Sequence, residues 1–261
     1  MLSSNIQLKS PLFKGSLLIM KCCAPLFFVV LATTLAYGKD LTQPGNFFDL
    51  HYYKYEEPGL MSEVSRTPSL TLGFRDLNAI MNSQRFGKVS GTIELTIAGT
   101  KYTGTGTAHT SYLKSLVEIY APIYNNIYAG FGYRRLTDYL SSAGPGGYDR
   151  LSNYYYLPIG FSSALTEGVI RSQFNYFLSG NQTSYLTQIS GYGNDLYNTQ
   201  KSGYGFDISF SPKSGAWETY WRYWSINKSS TDSIYQSNGS LYGVGWEPKN
   251  HTNELGVRWA F

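Results

Sequence analysis

Residues Asn253–Phe261 read NELGVRWAF, and their alternation decides the fold. Leu255, Val257, Trp259 and Phe261 fall on one face, with Glu254, Gly256, Arg258 and Ala260 on the other. A period of two is that of a β-strand with one apolar face. An aromatic side chain at the chain end gains nothing from exposure to water, so the reading expects an apolar medium around that stripe.

The same alternation recurs upstream. Phe48, Leu50 and Tyr52 oppose Asp49 and His51; Leu70, Leu72 and Phe74 oppose Thr71, Gly73 and Arg75; Ile93, Leu95 and Ile97 oppose Thr92, Glu94 and Thr96. The stretch LKSLVEIY is the least regular, because Leu116 sits with Lys114 and Glu118. Further strands centre on Ile127–Arg134, Tyr154–Phe161, Val169–Leu178, Tyr204–Phe210 and Trp217–Trp224. With the terminal stretch they make ten, the number expected here, with eight and twelve as the alternatives. Pro158 interrupts a strand whose flanks alternate well, which predicts a local bulge.

Connections differ in length. APIYNN, SSALTEG and SPKSG are short, whereas Tyr139–Asn153, Gly180–Ser202 and Asn227–Asn250 are long and polar. Ser233–Trp246 is read as a hairpin standing outside the wall. DLNAIMNSQRFG is too long for a place where a short turn is due. Short turns at one end, long loops at the other and aromatic residues near strand ends fit a transmembrane barrel better than a sandwich.

The apolar run Ala24–Ala36 is too short to span a bilayer as a helix and follows Lys21. With small residues at Ala36 and Gly38 it predicts a secretory signal over residues 1–38, leaving a barrel domain over 39–261. Removing Lys9, Lys14 and Lys21 lowers the net charge from +4 to +1, which leaves no basis for nucleic-acid binding. Cys22 and Cys23, the only cysteines, lie inside the signal, so neither disulfides nor thiolate metal sites are expected beyond it.

On the signal, the alternating strands and LGVRWAF, the chain resembles the bacterial outer-membrane β-barrel proteins over Asn46–Phe261. YYKYEEPGLMS, after the first strand, is similar to a stretch of small uncharacterised barrels and implies no activity. The resemblance implies a closed antiparallel barrel in the outer membrane with both termini in the periplasm. It implies outer-membrane lipid and lipopolysaccharide as surroundings. It also implies that Leu255, Val257, Trp259 and Phe261 form the signal read by the barrel-assembly machinery. A monomer is expected.

Polar faces carry Arg75, Glu94, Glu118, Arg171, Asp207, Glu218, Arg222, Glu254 and Arg258. A lumen of about ten strands is narrow, so these charges pair across it, with Arg222 matched to Glu218 and Arg258 to Glu254. The expected result is a plugged barrel with a structural or surface-recognition role and no catalysis. The alternative is a narrow solute channel lined by Arg75, Glu94, Arg171, Glu218, Arg222, Glu254 and Arg258. A lipid-modifying enzyme or protease is the third reading, and would use Asp49 with His51, or a rim histidine, His109 or His251. No His-x-Ser, paired-Asp or metal-ligand spacing supports it, and no cofactor or metal is expected.

Overall fold

The computed structural model describes residues 44–81, 88–213 and 215–261. The predicted signal, residues 1–38, lies outside the described residues.

The wall begins with β1 (Gly45–Glu57), which turns at Pro58-Gly59 into β2 (Met61–Ser65) and β3 (Ser69–Asp76). Gly59 takes φ +79°, the left-handed position that a tight turn closed by Leu60 N–H to Glu57 C=O requires. After a helical turn, α1 (Asn78–Met81), come β4 (Ser90–Thr103), β5 (Thr107–Tyr124), β6 (Ile127–Asp138), β7 (Arg150–Ala164) and β8 (Gly168–Ser184). The remainder is β9 (Leu196–Gln200), β10 (Gly203–Pro212), β11 (Trp217–Ile226), β12 (Thr231–Tyr235), β13 (Leu241–Trp246) and β14 (Asn250–Ala260).

Antiparallel pairing runs from β1 through β3, β4, β5, β6, β7, β8, β10, β11 and β14, and β14 pairs back onto β1. The wall is therefore closed, with ten positions. Closure leaves no sheet edge in the wall, the condition a strand must meet in lipid. β2 continues the position of β3, and β9 that of β10, above the main wall. β12 and β13 pair only with each other, as a separate two-stranded sheet.

Outward residues are apolar and exposed: Ile93, Leu95 and Ile97 on β4 are 52–56% exposed, and Leu255 on β14 is 59% exposed. Inward residues are polar and buried. This inverts a water-soluble domain and suits hydrocarbon. β5, with 18 residues, is the longest strand although its sequence alternates least cleanly. Leu116 points inward and is buried, which is why the polar–apolar pattern breaks there. At about 3.3 Å per residue, eighteen residues make roughly 60 Å, about twice the hydrocarbon thickness. The strand ends thus stand well clear of the apolar belt.

The expected bulge at Pro158 is not found there. Pro158 pairs in register with Asn175 on β8, and the ladder irregularity lies at Tyr155/Tyr156. On its other side the β6 ladder is interrupted between Ala129–Ile159 and Gly132–Tyr156 without a change of register. Proline has no N–H to donate, so pairing lapses locally while the strand stays straight.

Candidate functional site

Inward side chains from all around the wall meet in the lumen. Glu254 on β14 lies 2.5 Å from Lys114 Nζ on β5 and 3.5 Å from Arg222 Nη1 on β11. Arg222 also reaches Asp207 at 2.5 Å and Glu94 at 3.0 Å. Arg258 contacts Glu94 and Glu218, both at 2.8 Å, and Asp49 at 3.4 Å. Glu218 in turn accepts from Arg75 at 3.0 Å. The guanidinium groups of Arg222 and Arg258 thus cross from β11 and β14 to Glu94 on β4, knitting opposite parts of the wall together.

The expected partnerships within strands, Arg222 with Glu218 and Arg258 with Glu254, do not form. The register places Arg222 opposite Glu254 and Glu218 opposite Arg258 on adjoining strands, where directly opposed side chains are closest. The lumen also holds charges absent from the channel-lining set: Lys114, Glu118, Arg134 and Asp207. Of that set, Arg75, Glu94, Glu218, Arg222, Glu254 and Arg258 are buried in the network, while Arg171 borders a cavity on β8. That cavity measures about 20 Å³, room for one or two waters.

Aromatic rings fill what the charges leave. Tyr53, Tyr112, Tyr120, Tyr128, Tyr154, Tyr156 and Trp224 are all at most 2% exposed. Several lie flat over inward glycines of neighbouring strands: Tyr156 over Gly132, Tyr128 over Gly160 and Trp224 over Gly205. A Cβ at any of these would collide with the ring, so glycine is what lets the rings reach the wall. The aromatics read as membrane belts are therefore divided, with a large share facing inward.

The described part of the connection after β3, residues 77–81, packs against the lumen's aromatic side chains. Leu77 and Ile80, at either side of the start of α1, are buried against Tyr120 and Tyr128. Ser90 Oγ accepts from the N–H of Ala79 at 3.0 Å, and Asp76 Oδ1 from that of Asn78 at 2.9 Å.

At the opposite end, above the belt, lies a second cluster. Arg150 on β7 binds Glu57 of β1, with Asp138 of β6 at 3.5 Å and Glu247, before β14, at 3.7 Å. Glu247 also accepts from Tyr55 at 2.8 Å and from Gln182 of β8. Glu63 of β2 accepts from Thr110 at 3.0 Å, and its second oxygen is buried without a partner. Carboxylates outnumber cations here. Burial, with Asp138 nearby, pushes Glu63 up to about 8. Burial likewise pushes Glu247 up to about 7 and Asp138 up to about 6. The folded cluster therefore retains protons that the open chain releases. Its contribution to stability is complete below about 4.5, the ordinary glutamate value, and is lost as pH rises towards about 8. Raising pH from 5 to 8.5 is expected to expose the segment anchored by Glu247 to limited proteolysis, and Glu247→Gln to flatten that pH dependence. Equal cleavage at both pH values would refute this.

His51 Nδ1 lies 2.8 Å from Asp49, as the spacing suggested, and its Nε2 lies 3.2 Å from Tyr112 OH, which donates to Ser69 at 3.0 Å. This chain includes a serine, but Asp49, His51, Tyr112 and Ser69 are all at most 2% exposed, so substrate has no approach. His109 is exposed beside the outer rim. His251 stands on the outer wall in one cross-strand rank with Ser225 and Glu56. Its Nδ1 is held by Tyr223 OH at 2.8 Å, Glu56 pairs with Lys54, and Ser225 is buried. Among the described residues no group of His, Asp and Glu is arranged to hold a metal.

Leu255, Val257, Trp259 and Phe261 line the outer face of β14, where Phe48 stacks on Trp259 at 5.1 Å and meets Phe261 at 6.3 Å. The outer cluster escaped the sequence reading because its members lie beyond the strand stretches read there, Arg150 and Glu247 within connections taken as long loops. The run of inward positions on β6 and β7 extended past Arg134 and Tyr154 was the signal that could have found it.

No protein-family model matches the chain, and no curated protein matches it. Solved structures similar to it include three β-barrels of outer-membrane proteins. The outer membrane protease OmpT of Escherichia coli is 12% identical, covering 85% of this chain and 98% of its own, with TM-score 0.47. The beta domain of the Bordetella autotransporter BrkA is 12% identical, covering 84% and 100%, at 0.43. The translocator domain of the autotransporter NalP from Neisseria meningitidis is 11% identical, covering 93% and 97%, at 0.36. These likenesses carry no role across to this chain; that it is a closed ten-stranded barrel rests on its own strand pairing.

Proposed function

We propose that this protein is a bacterial outer-membrane barrel with a plugged lumen, acting through its external surface without catalysis. The observation that carries the reading is the bridge from Arg222 and Arg258 to Glu94, which crosses the lumen and leaves a cavity of about 20 Å³. Small barrels fill their interiors with side chains, and here Arg222 and Arg258 pair with Glu94, Asp207 and Glu218 rather than lining a path. An even number of wall strands puts both ends of the barrel chain on one side, the periplasm. The β12–β13 hairpin then faces outward, presenting Tyr242, Val244 and Trp246 at 46–61% exposure. Surface recognition is assigned to this hairpin and its neighbours. We further assign Phe261 and the apolar stripe before it to recognition by the assembly machinery.

The deciding experiment is conductance of the refolded protein in a planar bilayer, with insertion verified by protease protection. A silent membrane is expected. Stable unitary steps would replace this reading with the narrow channel. An epitope tag between Ser237 and Asn238 should be accessible on intact cells; a tag reached only after permeabilisation would reverse the orientation.

A further inference from the structure

The outer wall carries one feature that the plugged lumen does not use. Between β2 and β3 the chain takes five steps from Val64 to Ser69, while its neighbour β1 takes three from Lys54 to His51. On β4 the matching span is again three, since Ser65 pairs with Thr100 and Leu70 with Ile97 across five. Two residues are therefore surplus, and Arg66, Thr67 and Pro68 stand exposed at the break. Bulges of this kind re-aim a side chain at the rim of a barrel.

Arg66 is not alone. Lys54 is the next outward residue after Tyr52 on β1, and Arg135 the next after Tyr133 on β6. Lys101 lies beyond Ile97 on β4, with only Gly99 between them on that face. Val64 pairs with both Lys54 and Lys101, so these two lysines flank it in one rank, roughly 10 Å apart at the usual strand spacing. Arg66 is tied beside them by its N–H to the Gly99 carbonyl at 3.1 Å. Lys54 pairs with Glu56. Among the described residues Arg66, Lys101 and Arg135 have no carboxylate partner, whereas the lumen cations Arg75, Lys114, Arg222 and Arg258 are paired. On the outward face Lys101 follows Ile97 and Arg135 follows Tyr133, the last apolar or aromatic residues of β4 and β6 on that face, where a bilayer presents headgroups.

We propose that Arg66, Lys101 and Arg135, with Lys54, form a basic arc on the β1–β6 side of the barrel that binds the phosphate groups of outer-leaflet lipid headgroups. The arc supplies what such a ligand needs: three exposed cations without a carboxylate partner, Arg66, Lys101 and Arg135, with Lys54 beside them, next to an apolar wall that takes the acyl chains. It deepens the outer-membrane reading and rests on it for the biological source of the lipid, but binding itself is measurable on the isolated barrel.

The test uses folded protein in neutral detergent, titrated with a diphosphorylated glycolipid and followed by native mass spectrometry. The triple variant R66E/K101E/R135E is expected to bind at least about tenfold more weakly. Because charge reversal can impair folding, R66Q/K101Q/R135Q is measured alongside, with folding of each checked by heat-modifiable migration; it should also lose affinity. Lys201→Glu, an exposed cation at the β9–β10 junction on the other side, should leave affinity unchanged. Unchanged binding by the folded glutamine variant would overturn the proposal. So would equal binding of the glycolipid stripped of its phosphates, or displacement by inorganic phosphate at comparable concentration, which would indicate a free-anion site. A tag accessible only from the periplasm would reverse the orientation and overturn the outer-leaflet source of the lipid, while leaving the measured affinity standing.

Discussion

Glu254→Ala is expected to destabilise the barrel by about 3–5 kcal/mol, the range for removing one partner of a buried ion pair. Glu254 is fully buried, with Lys114 at 2.5 Å, Arg222 at 3.5 Å and Arg134 at 3.8 Å. Truncation deletes the anion that three buried cations share and offers them no water in exchange. Glu254→Gln keeps an acceptor oxygen and should cost less. Glu56→Ala is the internal comparison. Its pair with Lys54 is about 40% exposed on both sides, and such pairs contribute about 0–1 kcal/mol. Urea midpoints of the refolded variants in vesicles give the ranking Glu254→Ala, Glu254→Gln, Glu56→Ala. Equal midpoints for the first and last would show that the lumen network does not hold the wall together.

The double variant R222A/R258A is expected to turn a silent barrel into a conducting one. Those two side chains provide every contact by which β11 and β14 reach Glu94. Their loss leaves Glu94, Asp207 and Asp49 without their guanidinium partners and lets water into the waist. The surviving charge is negative, so the new current should be carried by cations. Unitary steps with cation selectivity, absent from the parent protein, are the predicted record. A double variant that inserts and stays silent would mean that Tyr220, Tyr120 and the turn at Leu77–Ile80 seal the lumen without help from the arginines.

The barrel was largely legible in the alternation of strands such as Ile93–Ile97 and Leu255–Phe261, because facing lipid imposes one strict rule on every outward position. Inward positions obey no such rule. Leu116 broke the pattern of β5 by packing inward, and strand periodicity did not say that Tyr128 and Tyr156 would lie over glycines of neighbouring strands inside the lumen. Ion pairing depended on register, which strand periodicity does not specify: Arg222 meets Glu254 only because β11 and β14 are aligned as they are. The outer cluster of Glu57, Glu63, Asp138, Arg150 and Glu247 gathers residues from five separate stretches, and only closure of the wall brings them together.

The β12–β13 hairpin pairs with itself and shares no ladder with the ten-position wall. Gln236 and Ser237 are held by the loop at Gly191–Tyr192, but the tip beyond them, Asn238–Ser240, can lengthen, shorten or change composition without asking any wall strand to re-register. A lineage under pressure from phage or antibodies could vary this segment rapidly while the wall and its interior charges stay fixed. In the orientation proposed above, the same independence makes it the natural site for grafting foreign peptides onto the cell surface.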